Sequence, residues 1–137
     1  MERTFAIIKP DAVGRQVAGQ IIDRIERAGF QIRAMRLAHL TKKEAEGFYA
    51  VHRGKPFFNG LTDFMSSGPA MLMVLEAPDA IRQWRDLMGA TDPAKAGEGT
   101  LRKLFGTDIG SNATHGSDAP ETAAYEIGYF FRGMELI

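Results

Sequence analysis

Three segments of the chain carry the hydrophobic patterns of β-strands. Residues 4–8 and 70–75 are apolar on both sets of alternate positions, which is typical of central strands that are covered on both faces of a sheet. Residues 30–37 alternate between apolar and polar side chains and then change phase after Ala34. Such a change of phase predicts an edge strand that contains a β-bulge.

Helical periodicity and helix start signals occupy the segments between these strands. Apolar side chains at positions 17, 21, 25 and 28 form one stripe, and Gly29 stands where that helix would end. Thr41 and Glu44 have the spacing of a capping box at the start of a second helix. Pro56 and Pro78 are each positioned to open another helix.

The last third of the chain combines an irregular stretch, a short strand and a final helix. Residues 89–110 contain five glycines and one proline, which predicts a long structured loop. A short strand is expected around residues 113–114. Asp118 and Glu121 then have the spacing of a capping box for the final helix, which carries Pro120 in its first turn.

Together these elements predict an α+β fold of the ferredoxin-like βαββαβ type. The two continuously apolar strands belong in the middle of a sheet and the bulged strand at its edge. The expected four-stranded antiparallel sheet therefore has the order 4-1-3-2, with helices packed on it and a long loop before the last strand. With no internal repeat or linker, residues 1–137 are expected to form a single domain.

Composition narrows the class of function. Seventeen basic residues balance seventeen acidic ones, so any anion site must be local, and a nucleic-acid or membrane partner is disfavoured. The absence of cysteine excludes disulfides and thiolate metal sites. The sequence shows no apolar leader and no segment of membrane-spanning length, so a cytoplasmic location is expected.

The sequence N-A-T-H-G-S-D at residues 112–118 places His115 between the short strand and the final helix. An imidazole is neutral near pH 7, and a helix N-terminus attracts phosphate, so the segment predicts a phosphate-carrying nucleophile. A turn with an incidental histidine is the alternative. A carboxylate should hold the second ring nitrogen. Spacing favours Asp118 or Glu121, because Glu126 lies about 9 Å along the helix from its start.

Side chains suited to phosphate binding occur at several further positions, although each alone is more often a solvated surface group: Lys9, Arg85, Thr91 and Arg102. Phe57 either belongs to the core or offers a stacking plane for a base. Tyr49 either reaches a site with its hydroxyl or anchors its helix. His39 and His52 are expected to be surface or half-buried side chains, and the three histidines lack the spacing of metal ligands.

Five sequence blocks, in this order and spacing, resemble the nucleoside diphosphate kinase family. The blocks are IKPD at residues 8–11, FY at 48–49 with KPFF at 55–58, MGATDP at 88–93, GTLR at 99–102, and NATHGSD at 112–118. They run through nearly the whole chain. One such block is modest support for the resemblance, whereas five ordered blocks are highly specific.

The resemblance implies a reversible ping-pong exchange. A nucleoside triphosphate, typically ATP, would give its γ-phosphate to His115, and the resulting pros-phosphohistidine would give it to a nucleoside diphosphate. Ser117 and Glu126 would orient the imidazole, which moves the expected carboxylate away from the helix start. Tyr49 would sit beside the histidine, and Lys9 would lie near the transferred phosphate.

The resemblance also implies the nucleotide contacts. Lys9 and Asn112 would bind the ribose hydroxyls, and Phe57 and Ile109 would sandwich the base. The phosphates would be held by Arg85, Thr91 and Arg102. Broad base tolerance is expected, because stacking reads the flat face that every base has. Mg²⁺ would travel with the phosphates and have no direct protein ligand, with Asp118 as the carboxylate that contacts it through water.

The chain departs from the family pattern in two places. Lys103, Leu104 and Phe105 stand where the family has a small residue, an aspartate and an aromatic, which leaves the hydrogen bonding of that loop open. The sequence ends at Ile137, whereas longer relatives use a C-terminal extension in subunit contacts. A homo-oligomer is therefore expected, with a tetramer favoured over a hexamer or a dimer.

Two competing hypotheses remain at this point. A nucleic-acid-binding module is one, because this fold class also carries RNA on its sheet face, but the balanced charge and the lack of exposed aromatic residues on the strands disfavour it. A catalytically silent family member is the other. The presence of every catalytic position argues against it.

Overall fold

The computed structural model describes residues 1–137 and contains one four-stranded antiparallel sheet. Its strands are β1 (Glu2–Ile8), β2 (Gln31–Ala38), β3 (Ala70–Ala77) and β4 (Thr114–Gly116). They lie in the order β2-β3-β1-β4, which is the predicted order 4-1-3-2 read from the opposite edge. The predicted fold class is confirmed.

Seven helices connect the strands. They are α1 (Pro10–Gly14), α2 (Ala18–Arg27), α3 (Lys42–Phe48), α4 (Phe58–Met65), α5 (Ala80–Met88), α6 (Leu101–Phe105) and α7 (Pro120–Phe130). Short 3₁₀ turns occupy Ala50–His52, Pro93–Lys95 and Gly133–Glu135. None of these helices has both the length and the apolar composition needed to cross a membrane.

Helices cover both faces of the sheet, and β1 contributes side chains to each side. Phe5 and Ile7 pack in one core with residues of α3, α4 and α7. Ala6 and Ile8 pack in the opposite core with residues of α2 and α5, including Trp84. The prediction of a central strand covered on both faces is confirmed. No sheet face is left free for stacking of single-stranded nucleic acid.

Strand β2 lies at one edge of the sheet, as predicted. Its pairing with β3 shifts register between Ile32 and Ala34, which places the β-bulge at the point where the hydrophobic pattern changes phase. Beyond the bulge, Met35 and Leu37 are half exposed. The change of phase in the sequence therefore reports a real bulge on an open edge.

The structure adds two short helices that the sequence patterns do not predict. Pro10 ends β1 but also occupies the first turn of α1, where its fixed φ angle suits a helix start. Within the expected long loop, Thr100 is the N-cap of α6, and its hydroxyl accepts a hydrogen bond from the Lys103 amide at 3.4 Å. Each helix has five residues, which is too short for an apolar stripe to show in the sequence.

The start of α7 differs from the predicted capping box. Ala119 is the N-cap, and Pro120 occupies the first helical position, which makes Thr122 the third. The Thr122 hydroxyl accepts hydrogen bonds from the amides of Ala119 at 3.0 Å and Asp118 at 3.3 Å, and donates to Asp118 Oδ1 at 2.7 Å. The prediction that Asp118 and Glu121 form this cap is therefore wrong.

Candidate active site

The backbone of His115 is held in place by the sheet and by one buried indole. His115 lies on β4 opposite Ile7 of the central strand β1. Its carbonyl oxygen accepts a hydrogen bond from Trp84 Nε1 at 3.1 Å. A Cβ atom on the next residue, Gly116, would lie 2.6 Å from Trp84 Nε1 and 2.7 Å from Met88 Cε. Only glycine fits beside His115 here without displacing the indole.

The His115 imidazole is held from one side only. Its Nε2 atom lies 3.0 Å from Glu126 Oε1, and the Ser117 hydroxyl donates to the same oxygen at 2.8 Å. Ser117 Oγ in turn accepts the Phe5 amide at 3.3 Å, which connects the pair to β1. The Nδ1 atom of His115 makes no hydrogen bond within the chain. This arrangement leaves one ring nitrogen available to act as a nucleophile.

The carboxylate beside His115 is Glu126, and not Asp118 or Glu121 as spacing along the helix favoured. Helix α7 packs against β1, so its second turn passes back beside β4. Asp118 instead accepts the Thr122 hydroxyl. The position that the family resemblance implied for Glu126 agrees with this geometry.

Three aromatic rings surround the imidazole. The ring centroids of Phe48, Tyr49 and Phe5 lie 5.4, 6.0 and 6.3 Å from that of His115, each in an edge-to-face arrangement. Tyr49 Oη is buried and has no hydrogen-bond partner. Burial, with the nearby Glu126 carboxylate, raises the pKa of Tyr49 well above its usual range. The phenol is therefore a neutral donor without an acceptor beside the imidazole.

A cleft of about 490 Å³ collects the residues expected to bind the nucleoside. Phe57 and Ile109 line it together with Lys9, and half or more of the Phe57 and Ile109 side chains is exposed. Large apolar side chains that remain open to solvent around a cleft are available for stacking on a flat ligand. The structure thus brings together the two residues predicted to sandwich a base.

At the inner end of this cleft, Lys9 is buried and charged. Its Nζ donates to Asn112 Oδ1 at 2.8 Å, and Asn112 Nδ2 donates to the Thr91 carbonyl at 3.0 Å. Burial, followed by the positive charge of Arg102, lowers the pKa of Lys9 to about 8, although Asp11 opposes this shift. The three predicted residues Lys9, Asn112 and Thr91 form one connected group.

Arg102 is buried beside Lys9 and connects the end of α5 to the start of β4. Its guanidinium donates to the carbonyls of Gly89 and Thr114, each at 3.0 Å, while its buried Nε has no partner. Burial, followed by the charge of Arg85, lowers the pKa of Arg102 to about 10. Arg85 is exposed and makes no hydrogen bond within the chain. Both arginines therefore contribute positive charge to this region.

Two polar residues that were given no site role also belong to the site. Asp11 Oδ2 accepts the Ala113 amide at 3.1 Å, and Ala113 has a φ angle of +74°, which is rare for a residue with a Cβ. The His52 ring lies between Tyr49 and Phe57, with centroid distances of 6.1 and 5.2 Å. The helical spacing of Tyr49 and His52 was the one available signal, and Asp11 had none beyond its sequence block.

The site has no protein cage for a metal ion. No group of three or more histidine, cysteine, aspartate or glutamate side chains in the chain is placed to hold one. Mg²⁺ commonly keeps several waters and binds through substrate phosphates with one or two carboxylates. The donor set around His115, with Asp118 as an exposed carboxylate nearby, fits a cation that arrives with phosphate groups.

Comparisons with known proteins agree with this site. The family model described as nucleoside diphosphate kinase matches residues 2–136. The nucleoside diphosphate kinases of Syntrophotalea carbinolica and Desulfotalea psychrophila are 63% and 61% identical over 137 residues, covering 100% of this chain and of each relative.

Solved structures give the same result. The Aquifex aeolicus nucleoside diphosphate kinase superposes with a TM-score of 0.97 at 47% identity, covering 99% of both chains. The Halobacterium salinarum enzyme, solved in complex with CDP, gives a TM-score of 0.95 at 43% identity, covering 99% of this chain and 91% of that one. By family model, sequence and structure, this chain belongs to the nucleoside diphosphate kinase family.

Proposed function

We propose that this nucleoside diphosphate kinase carries the transferred phosphate on Nδ1 of His115. The observation that supports the proposal is that only one of the two imidazole nitrogens is hydrogen-bonded. Glu126 occupies Nε2, and Nδ1 has no partner. A hydrogen bond from Nε2–H to a carboxylate fixes the tautomer in which Nδ1 keeps its lone pair.

The transfer then follows from the same contacts. The Nδ1 lone pair attacks the γ-phosphorus of a nucleoside triphosphate, and the bond to the bridging oxygen breaks as the nucleoside diphosphate leaves with that oxygen. The imidazole gains positive charge as the nitrogen–phosphorus bond forms. The Glu126 carboxylate, held by Ser117, stabilises this charge. A second nucleoside diphosphate takes the phosphoryl group by the reverse step.

The cleft between Phe57 and Ile109 is the proposed site of the base. Neither side chain carries a group that would select one base edge, so binding by stacking supports acceptance of many bases. Lys9 and Asn112, which are hydrogen-bonded to each other, are proposed to bind the ribose hydroxyls.

The phosphates are proposed to lie between the base cleft and His115. Arg102, Arg85 and Thr91 would hold them, and Lys9 would contact the transferred group. The positive charges stand close enough that burial and mutual repulsion lower the pKa values of Lys9 and Arg102. Such repulsion would be relieved by an anionic ligand.

The family's phosphotransfer uses a divalent cation, and we propose Mg²⁺ for this chain. It would bind to the nucleotide phosphates, with water-mediated contact to Asp118, and would neutralise phosphate charge. We further propose one domain over residues 1–137, a cytoplasmic location and a homo-oligomer, with a tetramer favoured over a hexamer or a dimer.

Labelling with γ-labelled ATP tests the proposed intermediate. The wild-type protein should acquire a label that is stable in base and lost in acid, as expected for a phosphohistidine. His115→Ala should acquire none. His39→Ala is the matched control, because His39 is bonded to the Ser66 carbonyl away from this site and should not affect labelling. Label that persists in His115→Ala would place the intermediate on another residue.

A coupled assay of GTP formed from ATP and GDP separates an active enzyme from a silent family member. Wild type and His39→Ala should both turn over, and His115→Ala should not. Labelling without GTP formation would mean that the second half of the exchange is missing.

A further inference from the structure

Two arginines from the neighbouring α1–α2 segment reach the ends of α6. The Arg24 guanidinium, on α2, donates to the Gly99 carbonyl at 2.6 Å, just before α6 begins. The Arg15 guanidinium, just after α1, donates to the Phe105 carbonyl at the last residue of α6. Hydrogen bonds from a charged donor are stronger than neutral ones. Both ends of this five-residue helix are therefore tied to the α1–α2 segment.

Beside these hydrogen bonds lies a cleft between α2 and α6. The cleft has a volume of about 570 Å³ and is lined by Gly19, Gln20, Asp23, Arg24, Leu104 and Phe105. Leu101 anchors α6 in the core, but Leu104 is half exposed. Phe105 packs partly buried against the core that holds Leu101 and the α2 residues Ile21 and Ile25, so Leu104 is the apolar side chain of α6 that stays open to solvent. The two arginine-to-carbonyl hydrogen bonds add polar contacts between the α1–α2 segment and the ends of α6.

Helix α6 carries Arg102, so its position sets the position of that guanidinium. Arg102 donates to the carbonyl of Gly89, just after α5, and to that of Thr114, the first residue of β4. Thr100 caps α6 and also packs closely on Gly89, where a Cβ atom would lie 2.6 Å from the Thr100 hydroxyl oxygen. A shift at Gly99 would be transmitted through Thr100 to Arg102.

We propose that Arg24 is a positioning residue for nucleotide binding, which acts by holding α6 and Arg102 in the ligand-binding arrangement before the nucleotide arrives. This inference rests on the proposed role of Arg102 in holding phosphate. Arg24 itself touches neither His115 nor the base cleft. Its effect is on preorganisation, because a loop that is already ordered loses less conformational entropy when ligand binds.

The expected consequence is a change in KM with little change in kcat. Without the Arg24 hydrogen bond, the segment from Gly99 through α6 is less ordered in the free protein. Part of the binding free energy is then used to order this segment when nucleotide binds. Once nucleotide is bound, its phosphates hold Arg102 in place. We expect KM for ADP to rise about 3- to 10-fold in Arg24→Met, the effect of one charge-assisted hydrogen bond at a solvent-accessible position. The kcat should stay within about twofold of wild type.

Arg27→Met is the matched control. Arg27 lies one turn further along α2, is exposed and pairs only with Asp23, with Nε 3.0 Å from Oδ2. The two variants remove the same charge from the same helix, and only one removes a contact to the loop. Arg24→Lys, which keeps the charge and a donor, should recover part of the loss. Hydrogen exchange of amides 99–106 should be faster in Arg24→Met without nucleotide and equal to wild type at saturation.

The outcomes are separable. A raised KM in Arg24→Met alone, with partial rescue by lysine and faster loop exchange, supports the inference. Equal KM values in Arg24→Met and Arg27→Met overturn it, as does a loss of kcat and thermal stability at unchanged KM. If wild type and Arg27→Met show no phosphotransfer, the proposed function has failed instead. If both transfer phosphate normally, only the role of Arg24 is in question.

Discussion

Lys9 gives the sharpest quantitative prediction, because its burial lowers the stability of the ligand-free protein. The side chain is 7% exposed and makes one hydrogen bond, to Asn112. Its pKa is lowered from the ordinary value of 10.5 to about 8, chiefly by burial. The difference corresponds to about 3 kcal/mol, at about 1.4 kcal/mol for each pH unit. We propose Lys9→Met as the perturbation.

The sign of the effect depends on pH. Between about pH 8 and 10.5 the folded protein binds fewer protons at Lys9 than the unfolded chain does, so the Lys9 contribution to stability rises with pH. Below pH 8 the full cost of burying the charge is present. Methionine removes that cost but leaves Asn112 Oδ1 without its donor, a loss of about 1 to 3 kcal/mol. At pH 7 the variant should therefore be more stable than wild type, by up to about 2 kcal/mol.

Well above pH 10.5 the advantage of methionine disappears, because lysine is then neutral in both states, and only the loss at Asn112 remains. Urea unfolding at fixed protein concentration, at pH 7, 8.5 and 10, measures the difference between the two proteins. It should fall by about 2 to 3 kcal/mol across the series. Lys43→Met, at an exposed helix position, is the control and should show no such trend. A difference for Lys9→Met that does not vary with pH would refute the reasoning.

Three further substitutions test separate parts of the site. Glu126→Gln keeps a hydrogen-bonding group beside His115 but removes the charge, and we expect phosphoenzyme formation to slow about 100-fold in rapid-quench labelling. Phe57→Ala should raise KM for ADP about 10-fold with kcat within threefold in a steady-state coupled assay, as expected for lost stacking. Gly116→Ala drives a methyl group into Trp84, and thermal unfolding should show a loss of about 1 to 3 kcal/mol. An unchanged labelling rate, KM or stability, respectively, would contradict the role given to that residue's contacts.

The sheet could be predicted because its signals are local. Continuous apolar runs mark β1 and β3 as central, and the change of phase after Ala34 marks the bulge in β2. The two five-residue helices could not be predicted, because five residues do not complete a stripe of helical period. The prediction of the α7 cap was wrong for a different reason. Pro120 shifts the helix register by one position, which gives Thr122 the role expected of Glu121.

The residue types of the site could be predicted from the sequence, but the distances between their side chains could not. Spacing along α7 placed Glu126 too far from His115, since distance along one helix says nothing about how that helix crosses a neighbouring strand. The family resemblance supplied the residue that the spacing argument missed. The contact of Asp11 with Ala113 joins residues 102 positions apart, which no local pattern reports. His52 shares helical spacing with Tyr49, but that spacing does not report its contact with Phe57.

The ligand-free site carries an excess of unsatisfied polar groups, and this excess is itself an argument about function. Tyr49 Oη, His52 Nδ1 and Arg102 Nε are all buried without partners, Lys9 is charged in a buried position, and Ala113 holds a left-handed backbone conformation. Each unsatisfied group costs about 1 to 3 kcal/mol, so together they rival the whole stability of a typical domain, about 5 to 15 kcal/mol. A fold selected for stability alone would place apolar side chains here. In the proposed mode of binding, phosphate oxygens satisfy these donors and charges, so that binding energy recovers what folding loses at this end of β1.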